Sequence, residues 1–324
     1  MRIINTAICA AAVILVLSSC AGKPFNIVLL PDTQHYSASY PEIFKAQTQW
    51  IVDRADSIAF VLHQGDITHN NNDEQWRNAV EALSLMDNRV PYAFVQGNHD
   101  LHRPDFRVST LFNQYLPYDK YSKMEEFGGA FEEGKMDNVW HTFKAGGINW
   151  LVLSLEFGPR DKVLDWAAEV VKAHPKHKVI VNTHSYMYTD DTRQSYAEGD
   201  KWAPQEWGIV RGTGGDTPND GEMMWEKFVS RYPNIMFVFS GHVLNDGAGR
   251  LVSEGVHGNK VYQMVANFQG GVEGSVKGGN GFLRILTINP KKGTISVKTY
   301  SPYIDEYKTD DEHQFVFEGV DFKN

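Results

Sequence analysis

Short apolar runs recur along this chain, and each ends abruptly in a cluster of polar residues. Asn26–Leu30, Ile58–Leu62, Tyr92–Val95, Lys178–Val181 and Ile235–Phe239 are rich in Val, Ile, Leu and Phe. Runs of this length, bounded by turn-forming residues, read as buried strands. Between them the apolar residues return with helical spacing. Pro41–Ser57 sets Ile43, Phe44, Trp50 and Ile51 on one face behind a proline suited to a first helical turn, and Asp73–Met86 and Asp161–Ala173 each open on an acidic residue able to cap exposed amides. A second series, Val139–Lys144, Ile148–Leu155, Val261–Ala266, Phe282–Ile288 and Thr294–Tyr300, also reads as strands. Strands alternating with helices predict an α/β protein, and open α/β sheets place ligands beyond the C-terminal ends of their strands.

The polar clusters at those ends are Pro31-Asp32-Thr33-Gln34, Gly65-Asp66, Gly97-Asn98-His99-Asp100, Thr183-His184 and Gly241-His242. Carboxylate, amide oxygen and imidazole together suit Mn, Fe, Zn or Mg ions. A lone Gly-Asp is ordinarily a turn, and a lone His a hydrogen-bonded structural residue. The specificity lies in the ordered set, because every cluster falls at a strand end.

In these clusters the chain resembles the calcineurin-like metallophosphoesterases, whose pattern is D-x-H, G-D, G-N-H-[DE], a lone His and G-H-x-H. The resemblance runs from about Phe25 to at least Arg284 and matches Asp32, Asp66, Asn98, His99, His184 and His242. Gln34 stands where the family usually has His, and Leu244 where the last motif has its second His. A Pro-Asp-Thr-Gln opening is similar to that of one subgroup. The resemblance implies a two-sheet β-sandwich flanked by helices, a four-layer αββα arrangement, with the second series of strands forming the second sheet. It also implies a metal-dependent hydrolase of phosphoric esters, acting on mono- or diesters. Two divalent ions (Mn, Fe, Zn, Mg or Ca) are then expected with Asp66 between them. Asn98, His184 and His242 complete one; Asp32 and Gln34, with water or Asn245, hold the other more weakly. His99 is expected to protonate the leaving oxygen, with Asp100 orienting it or capping the next segment. The competing reading is a degenerate member serving as a ligand-binding or scaffold lipoprotein, since Gln34 and Leu244 fall in the same half of the site.

Composition agrees with an enzyme-sized globular chain of 324 residues, 42% hydrophobic and 22% charged. Its 31 basic and 40 acidic residues give a net charge of −9. Residues 1–19 contain one charge, Arg2, so without them the balance is 30 against 40, or −10. That sign argues against a nucleic-acid-binding surface or a basic membrane face. Ala7–Leu17 is too short to span a bilayer, and Leu17-Ser18-Ser19-Cys20 resembles a bacterial lipobox. The expected organisation is a leader over 1–19, a tether over 20–24 acylated at Cys20, and one catalytic-type domain over 25–324. The expected location is the bacterial cell envelope, periplasmic or surface-facing, with membrane contact through the lipid alone. Cys9 leaves with the leader, so the mature chain has no thiol pair.

Two loops bear on substrate choice. Residues 185–221 carry Tyr186, Trp202 and Trp207, expected to form a stacking face for part of a nucleotide, lipid or sugar phosphate. Asn267–Gly281 is glycine-rich and reads as a connector or a binding loop. Arg160 is expected to contact phosphate, with a surface salt bridge as its competing role. Alternation along an extended first strand points His35 away from Asp32, His63 reads as a core residue, and His69 as a loop residue near the cleft.

Overall fold

The computed structural model describes residues 22–103 and 105–323, so the leader and Cys20 lie outside the described residues. The strands are β1 (Phe25–Leu30), β2 (Ile58–His63), β3 (Tyr92–Phe94), β4 (Phe127–Ala130), β5 (Val139–Ala145), β6 (Ile148–Leu155), β7 (His177–Thr183), β8 (Ile235–Ser240), β9 (Ala248–Glu254), β10 (Lys260–Ala266), β11 (Leu283–Asn289), β12 (Thr294–Ser301), β13 (Glu306–Lys308) and β14 (Gln314–Phe317). They form two seven-stranded sheets. One runs β13-β12-β11-β1-β2-β3, with β14 also paired to β12; the other runs β4-β5-β6-β7-β8-β10-β9. In the first, the parallel strands β1, β2 and β3 run to one edge and antiparallel strands extend from β1; in the second, the parallel strands β6, β7, β8 and β10 are flanked by antiparallel strands on both sides.

Period-2 alternation explains how the layers stack. In β1, Ile27 and Leu29 point between the sheets, while Val28 and Leu30 meet the helices Pro41–Val52 and Asp73–Leu83. In β6, Trp150 and Val152 join the inter-sheet core, while Leu151, Leu153 and Leu155 face the helix Asp161–Ala173. Every central strand is thus covered on both sides, and each fully buried Val, Leu or Ile side chain contributes about 1.5–3 kcal/mol. The order is helix, sheet, sheet, helix.

The division of strands between sheets differs from the expectation. β11 and β12 do not join the second sheet; β11 pairs antiparallel with β1. β7 and β8 leave the first sheet for the second, beside β6. Three of the polar clusters therefore hang from one sheet and two from the other. Two expected helices split: Pro41–Ser57 into a helix to Val52 and a separate turn at Ala55–Ser57, and Asp73–Met86 into a helix to Leu83 and a turn at Ser84–Met86. Gln34–Ser39 is helical rather than extended.

Candidate metal centre

Both parallel sets of strands deliver their polar clusters to one rim. Asp32, Asp66, Asn98, His184 and His242 are all buried. Asp66 and His242 hold left-handed backbone, with φ of 47° and 72°, which for a non-glycine residue costs on the order of 1–3 kcal/mol. The strain turns each side chain inward from its strand end. Two motif glycines are explained by crowding: a side chain on Gly97 would collide with the Asp66 carboxylate, and one on Gly241 with that of Asp32.

One half of the site is built on imidazoles. His184 donates from Nδ1 to the Gln64 carbonyl at 2.7 Å, and His242 donates from Nε2 to the Trp202 carbonyl at 2.8 Å. Those bonds fix the tautomers and leave His184 Nε2 and His242 Nδ1 as the inward nitrogens, 3.0 Å apart. His184 Nε2 also lies 3.3 Å from Asp66 Oδ1 and 3.3 Å from Asn98 Oδ1. The Asn98 amide nitrogen is buried without a partner. Asp66, His184 and His242 present ligand atoms within 4.8 Å of one another.

The electrostatics suit a cation. Among the described residues, neither Asp32 nor Asp66 is paired with Lys or Arg. Burial pushes Asp32 up to about 7, with His184 opposing and the Asp66 charge adding. Burial would raise Asp66 as well, but the charges of His184 and His99 hold it well below the carboxylate range. Burial would lower His184, yet Asp66 and Asp32 raise it to about 9; burial and His184 push His242 down to about 3. Two carboxylates, an amide oxygen and two inward imidazole nitrogens fit divalent ions.

The other half is built on amides. The Asp32 carboxylate accepts from His242 N at 3.2 Å, Asn267 Nδ2 at 3.2 Å and Gln269 Nε2 at 3.1 Å. Gln34 reaches Asp66 Oδ2 through Nε2 at 3.4 Å and accepts from His69 Nδ1 at 2.8 Å through Oε1. Asn245 does not face Asp32: it is exposed, and its amide donates to Thr189 Oγ1. Leu244 packs toward Gly271. Asn267 and Gln269 escaped the sequence reading, although they follow β10 as the other clusters follow their strands.

Several expected roles change. Asp100 does not touch the His99 ring; it accepts from the backbone N–H groups of Gly97, Ile67 and Thr68 and braces the Asp66 turn. The His99 ring is oriented by the His69 carbonyl, to which Nδ1 donates at 2.7 Å, and it stacks on the His69 ring at 5.1 Å. Arg160 is committed to the buried Glu156, with Nε at 2.7 Å and a second nitrogen at 2.9 Å, so it offers no phosphate contact and its salt bridge is not at the surface. Tyr186 is fully buried, with its hydroxyl on Gln263 Oε1 at 2.8 Å, and forms no stacking face. Trp202 is half-buried near Tyr188, and its carbonyl holds His242. Trp207 lies 6.0 Å from the His242 ring and packs edge-on to Phe157. His35 is turned by its helix to lie beside His69, with ring centroids 5.0 Å apart and the planes tilted by 32°, instead of pointing away. His63 is a core residue as read, accepting from Gly65 N and bonded to Thr33 Oγ1.

Comparison with known proteins adds three findings. Residues 25–246 match the family model described as calcineurin-like phosphoesterase. The chain is 30% identical over 299 residues to the uncharacterized protein YvnB of Bacillus subtilis (strain 168), an alignment covering 88% of this chain and 21% of that protein; the chain thus spans about a fifth of that relative. The purple acid phosphatase PPD1 from yellow lupin (Lupinus luteus) seeds superposes with a TM-score of 0.56 at 12% identity, covering 94% of this chain and 55% of that one. At that identity the likeness is one of fold, and it is the two-sheet, helix-flanked fold described above.

Proposed function

The chain belongs to the calcineurin-like phosphoesterase family, and from that premise we propose that it is a metal-dependent hydrolase of phosphoric esters. The observation that carries the reading is the pair of inward imidazole nitrogens, 3.0 Å apart beside Asp66, each fixed by a carbonyl bond on its far side. Asp66, Asn98 Oδ1, His184 and His242 would hold one ion. Asp32, Asp66 and the carboxamides of Gln34 and Gln269 would hold a second, with Asn267 bracing Asp32. Ions in such sites polarise phosphoryl oxygens and activate water at neutral pH.

The protein's own groups supply the rest. Because the Nδ1 proton of His99 is committed to the His69 carbonyl, Nε2 is the nitrogen that gives a proton to the leaving oxygen. Stacking on His69 holds the imidazole plane. Asp100 keeps the Gly65–Thr68 turn, and with it the Asp66 carboxylate, in place.

In the same reading the enzyme is held at the cell envelope by acylated Cys20. The described residues include no helix long and apolar enough to cross a membrane, so Cys20→Ala should release correctly processed protein from the membrane fraction. Retention there would remove the anchor from the proposal.

The activity is tested by metal analysis together with hydrolysis of 4-nitrophenyl phosphate and bis(4-nitrophenyl) phosphate, with Mn or with chelator. Mn-dependent turnover, lost with chelator, is expected. A metal-loaded protein without turnover on either ester would favour the ligand-binding reading that Leu244 invites.

A further inference from the structure

With Arg160 committed to Glu156, another guanidinium stands at the cleft. Arg103, three residues beyond Asp100, is exposed, and its guanidinium lies 4.7 Å from the centre of the Trp207 ring. It borders a cavity of about 350 Å³ whose walls include His69, Asn70, His99 and Leu101. We propose that this cavity is a second anion subsite, which takes a carboxylate or phosphate carried by the leaving alcohol of the ester.

The place of the cavity gives it that role. His99 N donates to Asp66 Oδ1 at 2.9 Å, so a residue of the cavity wall is tied directly to the carboxylate shared by both halves of the metal centre. An ester whose phosphoryl group sits against Asp66, His184 and His242 sends its leaving group past His99 toward Arg103. The proposal rests on the hydrolase reading for that pose, and on the wall itself for the anion.

The wall is built to hold a guanidinium. Leu101 packs with Phe157, Ile209 and Val210, and Trp207 rests on the same cluster. His102 N donates to the Val108 carbonyl at 2.8 Å and closes the loop that carries Arg103. Arg107 clamps the loop further, donating to the Phe157 and Gly158 carbonyls at 3.1 and 2.7 Å. Stacking on Trp207 then limits where the Arg103 charge can go. The nearby carboxylate, Asp105, is engaged with His102 at 3.0 Å, and among the described residues none pairs with Arg103. The charge left facing the cavity is positive. An arginine so placed recognises carboxylate or phosphate through two parallel N–H bonds.

The test uses phenyl phosphate, 4-carboxyphenyl phosphate and 1,4-phenylene bisphosphate, with the corresponding phosphonates as non-hydrolysable ligands in calorimetry with Mn present. Within each variant the readout is the ratio of each compound with two anionic groups to phenyl phosphate, which has one. The unmodified protein should prefer one or both of the compounds with a second anionic group by about tenfold or more, the size of a charge-assisted hydrogen bond. The preference should shrink as salt rises. Which compound gains shows whether carboxylate or phosphate is the natural anion. Arg103→Ala should bring the ratio close to one, and Arg103→Lys should keep part of it. A ratio near one in the unmodified protein, or one that Arg103→Ala leaves unchanged, overturns the subsite. If the phosphates are hydrolysed in that case, the hydrolase reading survives alone. If the phosphonates show an Arg103-dependent preference while no phosphate is turned over, the subsite stands and the hydrolase reading falls.

Discussion

On one side of Asp66 stand two imidazoles whose outer nitrogens are tied to backbone carbonyls. On the other stand Asp32 and the side-chain amides of Gln34, Asn267 and Gln269. The imidazole side is preorganised, because the bonds to Gln64 and Trp202 already fix which nitrogen faces inward. The amide side is not. Gln34 and Gln269 turn their nitrogens toward the carboxylates, so each must rotate to offer oxygen to an ion. Asn267 is no candidate for rotation, since its Oδ1 accepts from Gln269 N and its Nδ2 serves both Asp32 and the Val243 carbonyl. Two sites sharing one carboxylate should therefore bind metal unequally. Hard, oxygen-preferring Mn, Mg or Ca should favour the amide side.

The largest effect should come from breaking the imidazole side. His242→Ala removes a ligand atom and leaves the Trp202 carbonyl without its donor, so it should strip that ion and lower turnover by more than about a thousandfold. Unchanged metal content in purified His242→Ala would erase the distinction between the halves. His99→Ala separates chemistry from binding: both ions should stay, and rate should fall by about 10² to 10⁴-fold. Esters with good leaving groups should lose least, and equal losses across leaving groups would take the proton-donor role from His99.

A smaller effect sharpens the amide side. Gln269→Leu should weaken the second ion by about tenfold to a hundredfold while the first is unmoved, as read by calorimetric titration with Mn. Gln34→His with Leu244→His should act in the opposite sense and shift preference toward Zn. Two ions of equal affinity in the unmodified protein would refute the asymmetry.

The smallest expected effect is a pH trend in the chelated protein. Asp32 at about 7 and His184 at about 9 both bind a proton more tightly folded than unfolded. Their contribution is fully present below their ordinary pKa values. It is lost as pH rises through about 7 for Asp32 and about 9 for His184. Buried neutral histidines such as His242 act in the opposite sense below their ordinary pKa, so the test lies above it: the Tm of chelated protein should fall from about pH 7.5 to 9 as His184 loses its proton, and added Mn should flatten that slope. A chelated Tm that rises over this range would show that Asp66 and Asp32 do not hold His184 protonated.

Much of this molecule is legible in its sequence. The alternation in β1 and β6, the proline opening the helix Pro41–Val52 and the polar clusters beyond β1, β2, β7 and β8 are properties of neighbouring residues, and local pattern reports local structure directly. What the chain could not reveal was partnership across distance. Strand spacing alone does not say that β11 lies beside β1, because pairing depends on which surfaces the whole fold leaves open. Asn267 and Gln269 reach Asp32 from the far end of the chain, and only the juxtaposition of the two sheets brings them there. The same holds for Arg160, Tyr186 and Asp100, whose residue types suit a cleft equally well. Their fates were decided by a buried Glu156, by Gln263 and by the bare N–H groups of the Asp66 turn, because a polar group inside a protein must find its partner wherever tertiary packing has put one.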